Sequence, residues 1–127
     1  MARTPVESRI HTLLLANATV TALIGARVYP LVAQQAAPLP LLVYRRISTR
    51  RVGDLQGESK VEFPRIQIDC QAETYLGAKA LASAVLDAMN AATTFDSDPE
   101  PDQQESYEPE SGIFMVSLDF TTGNYEE

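Results

Sequence analysis

Few residues in this 127-residue chain are of types that do chemistry, and their spacing suits none of the usual sites. His11 is the single histidine and Cys70 the single cysteine. One of each cannot make a structural zinc site, which needs four thiolate or imidazole ligands. A Ser–His–acid triad would have to recruit His11 from the N-terminal segment, far in sequence from any exposed strand-end serine. Asp96, Asp98, Glu100 and Asp102 alternate with Ser and Pro. They match a calcium loop in composition, but the glycine and the closing bidentate Glu are out of register. A solvated acidic loop is the reading they support. No glycine-rich phosphate cradle and no dinucleotide fingerprint are present. Arg45, Arg46, Arg50 and Arg51 form one basic cluster. Its aromatic interleaving is thin and the chain carries a net charge of −7, which argues against specific nucleic-acid binding. The residues therefore point away from an enzyme, with no catalytic residue, metal or cofactor expected.

The elements that would position these residues are organised around residues 61–92. From Arg65 to Gln71 apolar and polar residues alternate strictly. Ile66, Ile68 and Cys70 fall on one face, the mark of a strand with one buried side. Cys70 is thus expected to be a small buried hydrophobe. Val61 and Phe63 are apolar in the opposite phase, and Pro64 sits at the change, so a bulge or an edge position is expected there. Leu81, Val85, Ala88, Met89 and Ala92 then repeat at helical steps, predicting a helix over about 74–92 with Thr74 as its N-cap. Upstream, Val6, Ile10, Leu13 and Leu14 form the stripe of an N-terminal helix. Thr4 is its expected N-cap, with Glu7 closing a capping box. His11 lies off that stripe and is expected at the surface. A short turn up to Ile24 is stopped by Gly25, and residues 27–30 are extended. Leu41 to Ser48 reads as a strand apolar on both faces at its start, hence central in the sheet. Residues 49–60 read as a long charged hairpin loop that protrudes. Residues 94–110 form an acidic loop with three prolines, of which Gln104–Glu108 can pair as an edge strand. Residues 112–122 give the last strand. The fold class is α+β: one domain over 1–127, with a mixed or antiparallel sheet of about four strands and two helices packed on it.

Composition bounds the rest. No apolar run is long enough to span a membrane, and the N-terminus lacks the pattern of a signal peptide. Charge is unevenly placed. Residues 1–65 hold nine basic and four acidic residues, a net +5. Residues 66–127 hold one basic and thirteen acidic residues, a net −12. Such a split suits either two unrelated solvated loops or a self-complementary pair of surfaces in a head-to-tail ring.

The layout itself resembles the tail-completion or tail-terminator proteins of tailed bacteriophages, the group that joins tail to head. The residues that carry the likeness are Leu23-Ile24-Gly25 with Arg27-Val28-Tyr29-Pro30, the Pro40-led strand, Ile66-Gln67-Ile68-Asp69 followed by Tyr75 and an Ala/Leu helix, and Ser117 to Phe120. They span nearly the whole chain, which departs from the pattern in its long acidic 94–110 segment. The resemblance implies a structural virion protein with an α+β fold. It implies hexameric self-assembly into a ring on the head-proximal end of the tail tube. The ring stops tube polymerisation and meets the head connector, and DNA passes its lumen without specific binding. The implied location is the virion tail, with assembly in the host cytoplasm. Arg45, Arg46, Arg50, Arg51, Asp54, Glu58 and Lys60 are the expected contacts, between subunits or with the tube. The competing readings are a monomeric small α+β binding module and an unrecognised enzyme.

Overall fold

In chain order the elements are α1 (Val6–Ala16), α2 (Ala18–Ile24), β1 (Val28–Pro30), β2 (Leu41–Gly53), β3 (Lys60–Ala72), α3 (Tyr75–Asn90), β4 (Asp96–Pro99), β5 (Gln104–Glu108) and β6 (Ile113–Tyr125). The computed structural model describes residues 5–34, 37–53, 60–93, 95–100 and 103–125, with 51–53, 60–62, 96, 124 and 125 described as backbone alone. The fold is α+β, as the sequence predicts, but the sheet has six strands rather than about four. Its order is β1-β2-β3-β6-β4, with β5 also on β6. β1 runs parallel to β2 and every other pair is antiparallel.

The alternation of β3 sets the layers. Ile66, Ile68, Cys70 and Ala72 are buried in one cluster with Leu42 and Tyr44 of β2 and Val116, Leu118 and Phe120 of β6. Val6, Ile10 and Leu14 of α1, Val20 and Ile24 of α2, and seven residues of α3 close that cluster from the same side. Burial pushes the Cys70 thiol far up, with nearby Asp69 adding to the shift, so the group is inert packing at neutral pH.

Caps and close approaches fix how the helices meet the sheet. Thr74 Oγ1 accepts from the Gly77 N–H at 3.0 Å, the N-cap bond expected for α3. A Cβ on Gly77 would lie 2.7 Å from that same hydroxyl oxygen, so only glycine fits under the cap. Gly25 ends α2 at φ +62°, and Asn17 caps the start of α2 through its side chain. The start of α1 departs from expectation. Pro5 occupies the N-cap and makes no side-chain cap, Thr4 lies outside the described residues, and Glu7 turns to Arg46 instead of closing a box.

The proline in β3 is accommodated differently from the sequence expectation. β3 is a central strand, and the bulge lies in its neighbour. Arg46 pairs with Ile66 and Ser48 with Arg65, leaving Ile47 as the extra residue of β2. Ile47 is accordingly exposed. The bulge turns Ser48 and Arg50 onto the face away from the helices, which Arg65 and Phe63 share. On the other side, the β3–β6 register passes from Glu62↔Asn124 to Arg65↔Thr121 without pairing Phe63 or Pro64. Thr122 Oγ1 donates to the Pro64 carbonyl at 2.9 Å and satisfies it where the ladder lapses.

Residues 49–60 contain less loop than the spacing suggests, because β2 runs on to Gly53 and β3 begins at Lys60. Residues 54–59 lie outside the described residues. The 94–110 segment is also more ordered than a solvated loop. Phe95 is buried in the main core, β4 and β5 lie one after the other along β6, and the Glu100 N–H bonds the Asp119 carbonyl at 2.9 Å between them. Pro99 is tolerated because β4 is an edge strand.

Ile68 is fully buried at the centre of the core. Ile68→Asp places an unpaired carboxylate there at a cost of several kcal/mol. That is comparable with the ~5–15 kcal/mol that stabilises a whole domain. Circular dichroism and thermal melting should show loss of the cooperative fold. A variant that melts like the parent would contradict the assigned inner face.

Candidate functional site

Adjacent residues of a strand point to opposite faces, so the Arg45-Arg46 pair is divided between two sides of the sheet. Arg46 faces the helices. Its Nη2 and Nε donate to the two carboxylate oxygens of Glu7 on α1 at 2.6 and 3.1 Å, and its Nη1 donates to Thr49 Oγ1. This two-pronged grip ties the first turn of α1 to β2. Nearby, His11 Nδ1 and Tyr44 Oη lie 3.1 Å apart and the rings meet edge-on. Burial, with Glu7 close by, keeps the Tyr44 phenol protonated beyond its ordinary range. His11 is therefore held by a partner on β2 rather than standing free on the surface.

Arg45 faces the other way, where the sheet meets a problem of its own. Asp69 is 3% exposed, a carboxylate buried in the middle of a central strand. Such a charge is costly unless paired and hydrogen-bonded. Arg45 Nη2 donates to Asp69 Oδ2 at 2.6 Å and the Ser117 hydroxyl donates to Asp69 Oδ1 at 2.8 Å. Arg45 Nε also donates to Gln67 Oε1 at 3.2 Å. The network crosses β2, β3 and β6. Further along the same face Arg65 donates to Asp119 at 3.0 Å and Thr121 Oγ1 to Glu100 at 2.7 Å. The alternation places Asp69 on the polar side but gives no sign that the position is buried. Nothing in the sequence picks it out from Gln67 or Gln71.

Arg50 differs from both. It is exposed, and its one contact among the described residues is the Phe63 ring, 5.9 Å from the guanidinium carbon. Ser48, Arg50, Phe63, Arg65, Glu100 and Thr121 line an open cleft of about 260 Å³ at this end of the sheet. Arg51 and Lys60 lie in paired strands, at Arg51↔Glu62 and Gly53↔Lys60. Asp54 and Glu58 lie outside the described residues. Among the described side chains of that set, Arg45 and Arg46 lie on opposite faces and bond within the subunit, and Arg50 is exposed.

A second exposed cluster has no counterpart in the sequence reading. At the start of α3, Tyr75 Oη donates to Glu105 Oε1 at 2.9 Å and Lys79 Nζ to Glu105 Oε2 at 2.6 Å, bracing β5. Tyr107 and Phe114 stack beside them with centroids 4.5 Å apart. The Lys79 bond, then that of Tyr75, holds the Glu105 carboxyl below its ordinary value. Glu105 in turn holds both donors above theirs. No group of three or more His, Cys, Asp or Glu among the described residues is arranged to hold a metal ion, and no described helix is long and apolar enough to cross a membrane.

The model of the family described as tail completion protein gp17 matches residues 8–123. Among solved structures the fold is similar to a chain of the virion of native gene transfer agent (GTA) particle, with a TM-score of 0.67, 21% identity and 92% of each chain covered. At that identity the likeness establishes a shared fold. No curated protein sequence matches the chain.

Two predictions follow from the side-chain networks. In a double-mutant cycle of Arg45→Met and Asp69→Asn, thermal or denaturant unfolding should give a coupling of about 1–2 kcal/mol. That is below the ~3–5 kcal/mol for breaking a fully buried pair, because the guanidinium keeps contact with water. Strictly additive effects would show that the pair does not hold the face together. The Glu105 brace should be present above the ordinary carboxylate value of 4.5 and lost as pH falls through the lowered one. Tyr75 and Tyr107 resonances should report that step in an acid titration, and Lys79→Met should move it up toward the ordinary carboxylate value, since the larger of its two bonds is lost. Tyrosine signals that titrate identically in the variant would contradict the brace.

Proposed function

The chain belongs to the tail completion protein gp17 family of structural phage tail proteins, and on that footing we propose that it closes the tail as a ring. In this reading six copies assemble on the head-proximal end of the tail tube. They stop tube polymerisation and offer the head connector its docking surface. The observation that carries the reading is the family match itself, which runs from within α1 to within β6. The physical features are consistent with assembly. The basic half and the acidic half of the sequence suit head-to-tail contacts, which close into a ring when the rotation between subunits allows it. The net charge of −7 suits a lumen through which DNA slides without being held. The part of β2 that carries Arg50 and Arg51 acts as a contact to the next component of the assembly.

Removal of the protein from the particle-producing system should leave tails that are overlong or unattached to heads. The purified protein should form rings of tube diameter in negative-stain micrographs. Ring yield should fall as salt rises, since exposed charges are screened over about 8 Å at physiological ionic strength. Normal, head-bearing tails in the absence of the protein would overturn the proposal.

A further inference from the structure

The sheet ends in two edges of opposite charge, and one of them is open over half its length. β1 covers β2 only at Leu42, Val43 and Tyr44, with the Leu31 N–H bonding the Tyr44 carbonyl just beyond. From Arg45 to Gly53 no described strand pairs with that side of β2. At the opposite end, β4 pairs with β6 on one side and with no described strand on the other. Open edges of this kind are templates for further strands.

Three properties of the two edges fit each other. The first is direction. β3 is antiparallel to β2, β6 to β3, and β4 to β6. β4 therefore runs opposite to β2. A ring repeats its subunits in one sense, so β4 of one copy laid against β2 of the next makes an antiparallel pair with the helices of both on the same side. The second is level along the strands. Ser48 pairs with Arg65, Arg65 with Thr121, and Thr121 with Asp98. These four residues form one row across the sheet, so the open stretch of β2 lies level with β4 and needs no slip along the strand axis to meet it. The third is charge. Arg50 is exposed on the face away from the helices, one pairing step along β2 from Ser48, and Asp98, in the Ser48 row, is exposed on that same face. Asp96 and Glu100 flank Asp98 on the acidic edge. Cross-strand and diagonal neighbours of opposite sign stabilise a sheet, while like charges oppose pairing. The acidic edge thus resists pairing with itself and accepts the basic one.

We propose that the sheet continues from subunit to subunit, with Asp96–Pro99 of one copy adding antiparallel to the Arg45–Gly53 stretch of β2 in the next, and with Asp98 opposite Ser48 and diagonal to Arg50 across the junction. The inference rests on the ring reading and supplies its interface. Pro99, the last residue of β4, leaves one missing donor at the end of the new ladder.

The test is a charge swap read by mass photometry and by hydrogen exchange. Neither Arg50 nor Asp98 belongs to the Arg45–Asp69–Ser117 network, so the variants should melt like the parent. Arg50→Glu and Asp98→Arg should each weaken assembly about tenfold or more, and the two together should restore it to within about threefold. In the assembled parent, amides of residues 46–53 and of Ser97 should exchange about tenfold slower than in the dissociated protein. Rings that form equally well with each single variant, a double variant that does not recover, or unchanged exchange at residues 46–53 would each overturn the sheet junction while leaving the ring intact. A parent protein that never assembles, alone or on tubes, would overturn the ring reading and the junction with it.

Discussion

A central strand whose two faces must satisfy different surroundings is the constraint from which this structure follows. β3 is bonded on both sides, to β2 and to β6, so its side chains can escape only upward or downward. Every helix lies on one of those faces, drawn by Ile66, Ile68, Cys70 and Ala72. The other face receives no helix, yet Asp69 and Ser117 on it are buried all the same. The sheet resolves this with Arg45, whose long stem covers the strand while its guanidinium neutralises Asp69. The same logic assigns the remaining arginines. Arg45 and Arg46 are engaged within the subunit, while Arg50 is exposed.

Much of this was legible in the residues because it depends on period and capping. The Arg65–Gln71 alternation, the α3 stripe, the Thr74 cap, the Gly25 stop and the interior position of the start of β2 all follow from local pattern. What was not legible depends on partners distant in sequence. Pro64 signals trouble in β3, but its accommodation lies in Ile47 of the neighbouring strand and in the hydroxyl of Thr122. Glu7 has the spacing of a capping box, yet a guanidinium thirty-nine residues away wins it. His11 lies off the apolar stripe and still finds Tyr44. In the 94–110 segment the edge strand expected at Gln104–Glu108 forms, whereas Asp96–Pro99, read from charge and proline content as solvated, also pairs with β6.

The candidate site was the least legible part for the same reason. A run of arginines in a strand reads as one cluster in sequence, but pleating sends alternate residues to opposite faces and a single bulge reverses the order again. Arg45, Arg46 and Arg50 consequently face Asp69, Glu7 and solvent in turn. The carboxylate that matters most to the polar face, Asp69, was visible only as one polar residue among several.

The proposed ring is tested most directly by cryo-electron microscopy of assembled particles, with this fold docked into the density at the end of the tail tube nearest the head. One closed ring is expected there, each subunit oriented alike, with strand density continuous across the subunit boundary. Density for the fold elsewhere in the particle, or its absence from the particle, would contradict it.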